Sequence, residues 1–195
     1  MTSKKFQTAL AFVQKKHRGQ KRAGGVPAWH HLARVSEILS DALERYNEGV
    51  LSDRRIAPIA ALGHDVLEDT KATPHDVRRV FGERGFELIW GMTNEWGDAH
   101  RAPYVKKVIR SEELVRLMKL SDLADNLINV AYAFSELGEK WTSSYFLPIV
   151  TPMRNAIRKT RFVRYPKTAA HLIRIVDLAT LLLEHEQKRF RKRKE

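Results

Sequence analysis

The spacing of its apolar residues constrains the fold of this chain more than any other feature. Along most of its length apolar side chains recur every three or four positions, as at Phe6, Leu10 and Val13. That period is typical of amphipathic α-helices. No stretch alternates apolar and polar residues for long enough to indicate a β-strand. The sequence therefore predicts an all-α fold, a compact bundle of about eight or more helices, and its 195 residues suit a single domain.

Proline and glycine residues divide this pattern into separate helices. Thr73 followed by Pro74 is typical of an N-cap with proline in the first helical position. Pro166 is expected to begin the last helix. Two segments rich in polar residues and glycine, 19–26 and 93–103, are predicted to be loops, and loops of this size in a small helical domain are often functional.

Composition excludes several classes of protein. The chain has no cysteine, which excludes a disulfide scaffold or a zinc ribbon, and its apolar content of 43% is too high for a disordered chain. No apolar run approaches the roughly 18 residues of a transmembrane helix, and the first residues lack the apolar core of a signal peptide. We therefore expect a soluble, cytoplasmic protein that does not associate with a membrane.

The net charge of +12 is concentrated near the end of the chain. Residues 151–175 contain seven basic residues and no acidic residue, and residues 188–195 contain six basic residues and one acidic residue. One interpretation is a solvated helix face followed by a frayed basic tail. The other is a surface that attracts phosphate, either of a nucleic acid or of a polyphosphate ligand.

Residues 60–70 contain the most informative cluster of polar side chains. His64 and Glu68 are four positions apart, as are Asp65 and Asp69, so each pair would share one face of a helix. Burying these groups together is unfavourable unless a cation compensates their charge. An exposed helix end, or a core histidine with a hydrogen-bond partner, would explain the same residues without a metal.

Two further segments favour a metal site. His30 and His31 stand at the predicted start of a helix, and Asp122 and Asn126 lie four positions apart on another. Together with the histidine and aspartate of the first cluster they form a mixed set of imidazole and carboxylate groups. Such a set suits Mn²⁺, Fe²⁺ or Zn²⁺ and leaves coordination positions for water and substrate.

Three sequence blocks resemble the HD superfamily of metal-dependent phosphohydrolases, in particular its RelA/SpoT-type alarmone hydrolase domains. Residues 9–35, ALAFVQKKHRGQKRAGGVPAWHHLARV, resemble the family pattern H-x-G-Q-x-R…G-x-P-Y-I-x-H-P-x-x-V. Residues 60–82, AALGHDVLEDTKATPHDVRRVFG, resemble A-A-L-L-H-D-V-x-E-D-T…T…I…F-G. Residues 115–130, VRLMKLSDLADNLINV, resemble V-x-x-I-K-L-A-D-R-x-x-N-L.

The resemblance implies a role for each matching residue. The metal, expected to be Mn²⁺, would have four ligands: His31, His64, Asp65 and Asp122. Glu68 and Asp69 match the acidic pair that handles the attacking water, and the choice of base between them stays open. The residues implied to bind substrate are Lys21, Arg22, Asn126 and Tyr145. An HD-type domain would span residues 1–187, with the blocks in about 9–130 and further helices in about 140–187, and residues 188–195 would form the basic tail.

The implied enzyme is a Mn²⁺-dependent hydrolase that removes the 3′-pyrophosphate from guanosine tetra- or pentaphosphate. Five departures from the family pattern surround the substrate. Leu32 replaces a proline and Ala28-Trp29 replaces Tyr-Ile. Leu123 and Trp141 replace arginines, and Asp125 replaces an aromatic residue or histidine. An alternative is therefore the same chemistry on another nucleotide, with a 3′- or 2′-phosphate or an adenosine alarmone. A second alternative is a nucleic-acid-binding module that uses the basic segment 188–195. The oligomeric state stays open.

Overall fold

The computed structural model describes residues 4–97 and 101–193, and within these ranges it is helical without a β-strand. This confirms the predicted all-α fold. The α-helices in chain order are α1 (Lys4–Lys16), α2 (Trp29–Tyr46), α3 (Leu51–Leu62), α4 (Val66–Asp69), α5 (Pro74–Met92), α6 (Arg101–Arg110), α7 (Glu113–Tyr132), α8 (Phe134–Trp141), α9 (Leu147–Arg158) and α10 (Pro166–Lys192). A short 3₁₀ turn spans Ala23–Gly25, and a π-helical turn spans Thr142–Phe146.

Helix α7 lies at the centre of the bundle. It packs against α2, α3, α5, α9 and α10, and side chains around its whole circumference are buried. A helix that is buried on every side needs a largely apolar sequence, which explains the buried Leu114, Leu117, Leu120 and Leu127. The polar residues of α7 are therefore exceptions that need a partner inside the protein.

Two of the helices, α5 and α10, begin at the residues predicted from the sequence. The Thr73 hydroxyl accepts a hydrogen bond from the Asp76 backbone N–H, and the Asp76 carboxylate accepts one from the Thr73 N–H, so the two form a capping box before Pro74. Pro166 opens α10. Within the predicted loop 93–103, however, α6 already begins at Arg101.

The end of α10 is packed against α8. The Phe190 and Phe134 rings meet edge to face with centroids 5.4 Å apart, and Arg191 Nη2 lies 2.5 Å from Glu139 Oε1. Residues 188–192 thus continue the last helix. The division between a domain over 1–187 and a tail over 188–195 stays a proposal.

None of the helices within the described residues is both long and apolar enough to cross a membrane.

A close approach at Gly63 shapes the turn that follows α3. The Gly63 N–H donates to the Ala60 carbonyl at 2.8 Å and ends the helix. A Cβ at this position would lie 2.7 Å from Phe81 Cζ and 2.8 Å from Ile89 Cδ1. The glycine therefore lets the chain turn tightly against α5, directly before His64.

We predict that Gly63→Ala lowers the free energy of unfolding by about 1–3 kcal/mol, because the added methyl group must displace Phe81 or Ile89. Urea titration followed by circular dichroism measures this change. Ala170→Ser, at an exposed position of α10, is the control and should change the stability by less than about 0.5 kcal/mol. An unchanged midpoint for Gly63→Ala would contradict the proposed role of this close approach.

Candidate metal centre

Three parts of the bundle bring the four predicted metal ligands together. His31 lies in the first turn of α2, His64 and Asp65 lie in the turn between α3 and α4, and Asp122 lies in the middle of α7. These elements pack directly on one another. The two histidines are each 1% exposed and Asp122 is 3% exposed, so the cluster lies inside the protein.

The four side chains converge on one point. His31 Nε2 lies 3.2 Å from Asp122 Oδ1 and 3.7 Å from Asp65 Oδ2. His64 Nε2 lies 3.1 Å from Asp65 Oδ1 and 3.4 Å from Asp122 Oδ1. Ligand atoms of His31, His64 and Asp65 all lie within 4.8 Å of one another, close enough to share one cation.

The other nitrogen of each imidazole shows how the rings are held. His64 Nδ1 lies 2.8 Å from the Ala61 carbonyl oxygen, which only accepts, so Nδ1 carries the proton. His31 Nδ1 lies 2.6 Å from Asp125 Oδ2 and donates to it in the same way. In the neutral rings both Nε2 atoms are then acceptors, and both are buried without a hydrogen-bond partner.

A divalent cation fits this donor set. A buried polar atom without a partner is unfavourable, and here two such atoms face the same two carboxylates. Two imidazole nitrogens with two carboxylates are ligands typical of Mn²⁺, Fe²⁺ and Zn²⁺. The arrangement supports a cation-binding site rather than a core histidine with satisfied hydrogen bonds.

Two neighbours on α7 hold the Asp122 carboxylate. Lys119 Nζ lies 2.8 Å from Oδ2, and Asn126 Nδ2 donates to Oδ1 at 2.6 Å. Burial alone would raise the pKa of Asp122, but the Lys119 ammonium and both histidines hold it well below its usual value. Asp122 is therefore ionised at neutral pH.

The pKa of His64 moves in the opposite direction. Burial would lower it, but Asp65 and Asp122 outweigh this effect and raise it well above 6.5. For Asp65, burial favours a higher pKa, and the charge of His64 lowers it below its usual value. Without a cation His64 therefore tends to carry a second proton, on Nε2. Metal binding at Nε2 competes with that proton.

Glu68 and Asp69 each line a cavity that borders the cluster. Glu68 lines a cavity of about 310 Å³ together with Asp122, whereas Asp69 lines a cavity of about 340 Å³ together with His31. Both are solvent-accessible, but the surrounding protein still replaces part of the water. This partial burial, followed by the charge of Asp65, raises the pKa of Glu68 to about 7 and also raises that of Asp69.

The expectation that His64 and Glu68 stack on one helix is wrong. Helix α3 ends at Leu62, and His64 lies in the turn before the four-residue helix α4. Only Asp65 and Asp69 keep helical spacing, with the Asp69 N–H donating to the Asp65 carbonyl at 2.9 Å.

The four predicted substrate residues lie around the cluster, as one contacting pair and two separate residues. Arg22 donates to the Asn126 side-chain oxygen, so these two are in contact. Lys21 lines the 340 Å³ cavity, and Tyr145 lines the 310 Å³ cavity. Lys21 and Tyr145 therefore do not line the same cavity.

A third cavity, of about 410 Å³, is also lined by Arg22. Asp125 and Arg34 line it together with the apolar side chains of Val26 and Ile128. Its exposed wall is mostly apolar. Arg22 lines all three cavities and is thus shared between them.

Several residues of the centre were not predicted from the sequence. Lys119 had a signal, since it lies three positions before Asp122 and so on the same face of α7. Arg101 lines the 310 Å³ cavity, and its guanidinium carbon lies 5.5 Å from the centre of the Tyr145 ring. Trp141, which the sequence comparison had already placed around the substrate, lines the same cavity, with its ring 5.5 Å from that of Tyr145. No local pattern distinguishes Arg101 from the other basic residues of the chain.

Comparison with known proteins identifies the class. A family model described as "HD domain" matches residues 9–125, more than half of the chain. This match includes all four of the clustered His and Asp residues described above. The chain belongs to the HD-domain family, which confirms the resemblance found in its sequence.

Two enzymes are similar to this chain in sequence. The chain is 34% identical over 130 residues to the guanosine-3′,5′-bis(diphosphate) 3′-pyrophosphohydrolase MESH1 of Drosophila melanogaster, covering 64% of this chain and 69% of the relative. It is 30% identical over 161 residues to the guanosine-3′,5′-bis(diphosphate) 3′-pyrophosphohydrolase of Aquifex aeolicus, covering 80% of this chain. It spans only 22% of the length of that larger relative.

A solved structure supports the fold. The structure titled "A metazoan ortholog of SpoT hydrolyzes ppGpp and plays a role in starvation responses" superimposes with a TM-score of 0.67 at 23% sequence identity. The match covers 89% of this chain and 96% of the other. The helical bundle described above is therefore an arrangement already seen in a solved structure.

We predict that Lys119→Met destabilises the metal-free protein by about 3 kcal/mol, because it leaves the Asp122 carboxylate buried without its cationic partner. Mn²⁺ should raise the unfolding midpoint of this variant more than that of the unsubstituted protein, since a cation would replace the lost positive charge. Thermal unfolding with and without Mn²⁺ measures both effects. Lys106→Met, at an exposed position of α6, is the matched control. A variant as stable as its parent, or insensitive to Mn²⁺, would contradict the role assigned to Lys119.

Proposed function

We propose that the protein is a Mn²⁺-dependent phosphohydrolase that removes the 3′-pyrophosphate from guanosine tetra- or pentaphosphate. One observation carries the proposal: the buried Nε2 atoms of His31 and His64 lack hydrogen-bond partners and face the carboxylates of Asp65 and Asp122. The names of the relatives in Drosophila melanogaster and Aquifex aeolicus support the choice of substrate.

The proposed metal ligands are His31, His64, Asp65 and Asp122. When bound, a divalent cation would lower the pKa of a water molecule and polarise a phosphate oxygen. The protein side chains prepare the site for this chemistry, because Lys119 keeps Asp122 ionised and the Ala61 carbonyl holds the His64 ring with Nε2 facing the carboxylates.

We assign the proton transfer to Glu68. A group that exchanges protons in catalysis works best with a pKa near the working pH, and the pKa of Glu68 is raised to about 7. Added positive charge beside Asp65 would lower that pKa again and favour the carboxylate, the form that accepts a proton. Asp69, which lines the 340 Å³ cavity, would orient the water or the phosphate group.

The cavities indicate how a nucleotide would lie. Arg101 and Lys119 line the 310 Å³ cavity next to Glu68, which suits the phosphate groups. The mostly apolar cavity of 410 Å³ beyond Arg22 suits a flat base. Arg22 and Asn126, in contact between these spaces, would then bind the central part of the nucleotide, with Lys21 and Tyr145 at its edges.

A second candidate substrate class follows from the residues that depart from the family pattern. Leu123 and Trp141 both line the 310 Å³ cavity, where the pattern has arginines. Replacing two arginines with uncharged side chains removes positive charge, which favours a substrate with fewer phosphate groups. A nucleotide with a 3′- or 2′-phosphate, or an adenosine alarmone, would be cleaved by the same chemistry.

We predict that the purified protein with Mn²⁺ releases pyrophosphate from guanosine tetraphosphate. Glu68→Gln should lower kcat by about 10²–10⁴-fold, as expected for loss of a general acid or base, and Asp65→Ala should abolish both metal binding and turnover. Glu37→Gln, on an exposed position of α2, is the control.

A panel of 3′- and 2′-phosphorylated guanosine and adenosine nucleotides separates the two substrate classes. Release of orthophosphate, or a higher kcat/KM for an adenine nucleotide, would favour the second class. If no member of the panel is cleaved with Mn²⁺ present, the proposed hydrolase function is wrong.

We predict that Mn²⁺ affinity rises with pH. His64 has a raised pKa in the metal-free protein, so its contribution to stability is fully present below about pH 6.5 and is lost as the pH rises through its folded-state pKa. Below that pKa the cation must displace a proton, which weakens binding by up to about tenfold per pH unit. Calorimetric titration with Mn²⁺ between pH 6 and pH 9 measures the slope. His185→Gln, on the exposed face of α10, should leave it unchanged, and a flat profile would refute the predicted competition.

A further inference from the structure

We propose that Asp125 is a positioning residue that holds His31 in the orientation and tautomer needed to bind the metal, and that Arg34 in turn holds Asp125. This inference rests on the proposed metal centre. It concerns a position at which the chain departs from its family pattern, so the pattern itself assigns Asp125 no role.

The contacts form a chain that leads from the surface to the cluster. The Arg34 Nε and Nη2 groups donate to the two Asp125 oxygens at 2.6 and 3.0 Å. Asp125 Oδ2 accepts the His31 Nδ1 proton at 2.6 Å, and His31 Nε2 lies 3.2 Å from Asp122. Asp125 is 3% exposed, so these contacts replace its hydration almost entirely.

The direction of the proton follows from the chemistry of the groups. An ionised carboxylate only accepts hydrogen bonds, so the nitrogen of His31 that faces Asp125 must carry hydrogen. The nitrogen that faces Asp65 and Asp122 is then the one with the free electron pair in the neutral ring. A carboxylate that accepts the proton of the other ring nitrogen also makes the imidazole more basic, and so a stronger electron-pair donor to a metal.

The two histidines differ in how this second nitrogen is held. His64 donates to the backbone carbonyl of Ala61, three residues away in the same turn. His31 donates to a side chain 94 positions away, on α7. The orientation of His31 therefore depends on the packing of α2 against α7, and a single side-chain substitution can remove it.

An alternative role for the ion pair between Arg34 and Asp125 is only to stabilise the packing of α2 against α7, without any part for His31. The geometry favours a role in orienting His31, because the same Asp125 oxygen accepts hydrogen bonds from His31 Nδ1 and Arg34 Nη2. Arg34 binds the carboxylate through two nitrogens and so restricts its rotation. The Arg34 side chain is 39% exposed, and both Arg34 and Asp125 line the 410 Å³ cavity.

The test compares Mn²⁺ affinity across variants of the full chain. Asp125→Asn keeps the size of the side chain but removes its charge, and Arg34→Met leaves Asp125 without its second partner. We expect Asp125→Asn to weaken Mn²⁺ binding by about 10–100-fold, the range typical for such outer partners of metal ligands, and Arg34→Met to weaken it less. Asp177→Asn, which breaks the ion pair with Arg158 on α9, is the matched control and should leave the affinity unchanged.

A second measurement detects the tautomer without any metal. In ¹⁵N NMR spectra of the metal-free protein at a pH where the ring is neutral, His31 should carry its proton on Nδ1, and Asp125→Asn should shift part of the population to Nε2. If Asp125→Asn folds poorly, Arg34→Met carries both tests.

The outcomes separate this inference from the proposed function. Unchanged Mn²⁺ affinity and unchanged His31 signals in folded Asp125 and Arg34 variants would overturn the positioning role. If the unsubstituted protein itself does not bind Mn²⁺, the proposed metal centre is wrong, while the His31 signals still decide whether Asp125 sets the tautomer.

Discussion

The ionised carboxylate of Asp122, buried in the middle of the central helix, is the interaction on which the site depends. It meets Lys119 and Asn126 on its own helix, and it faces His31 and His64 from other parts of the bundle. A buried charge without partners would cost several kcal/mol. The packing of α2, α3 and α7 therefore supplies the partners that the Asp122 carboxylate needs, and the contacts of that carboxylate help to hold these helices together.

Those parts of the fold and site that depend on local sequence could be predicted. The helical period indicated the all-α class, the Thr73-Pro74 signal indicated the start of α5, and the motif blocks indicated His31, His64, Asp65 and Asp122, which the structure brings together. The short turn after Gly63 could not be predicted, because it depends on the approach of Phe81 and Ile89 from another helix. It is also the reason that His64 and Glu68 do not share a helix face.

The features of the site that the sequence did not predict depend on packing between residues far apart in the chain. Asp125 contacts His31 because of the way α7 packs against α2. The spacing of residues within either helix does not predict this contact. Arg101 and Trp141 reach the same cavity from α6 and the end of α8. Leu123 and Trp141, which stand where the family pattern has arginines, line this cavity and leave the four clustered His and Asp side chains unchanged.

The contact between Phe190 and Phe134 has a consequence for the basic end of the chain. Because α10 stays helical through Lys192, the charges of residues 188–192 are arranged around a rod rather than along a flexible strand. Successive side chains of an α-helix point about 100° apart, so Lys188, Arg191 and Lys192 share one side of this rod. Two of the four cations in residues 188–192 have acidic partners, since Arg189 pairs with Glu186 and Arg191 pairs with Glu139. The positive charge that this end of the molecule offers to a polyanion is therefore smaller than its number of basic residues implies.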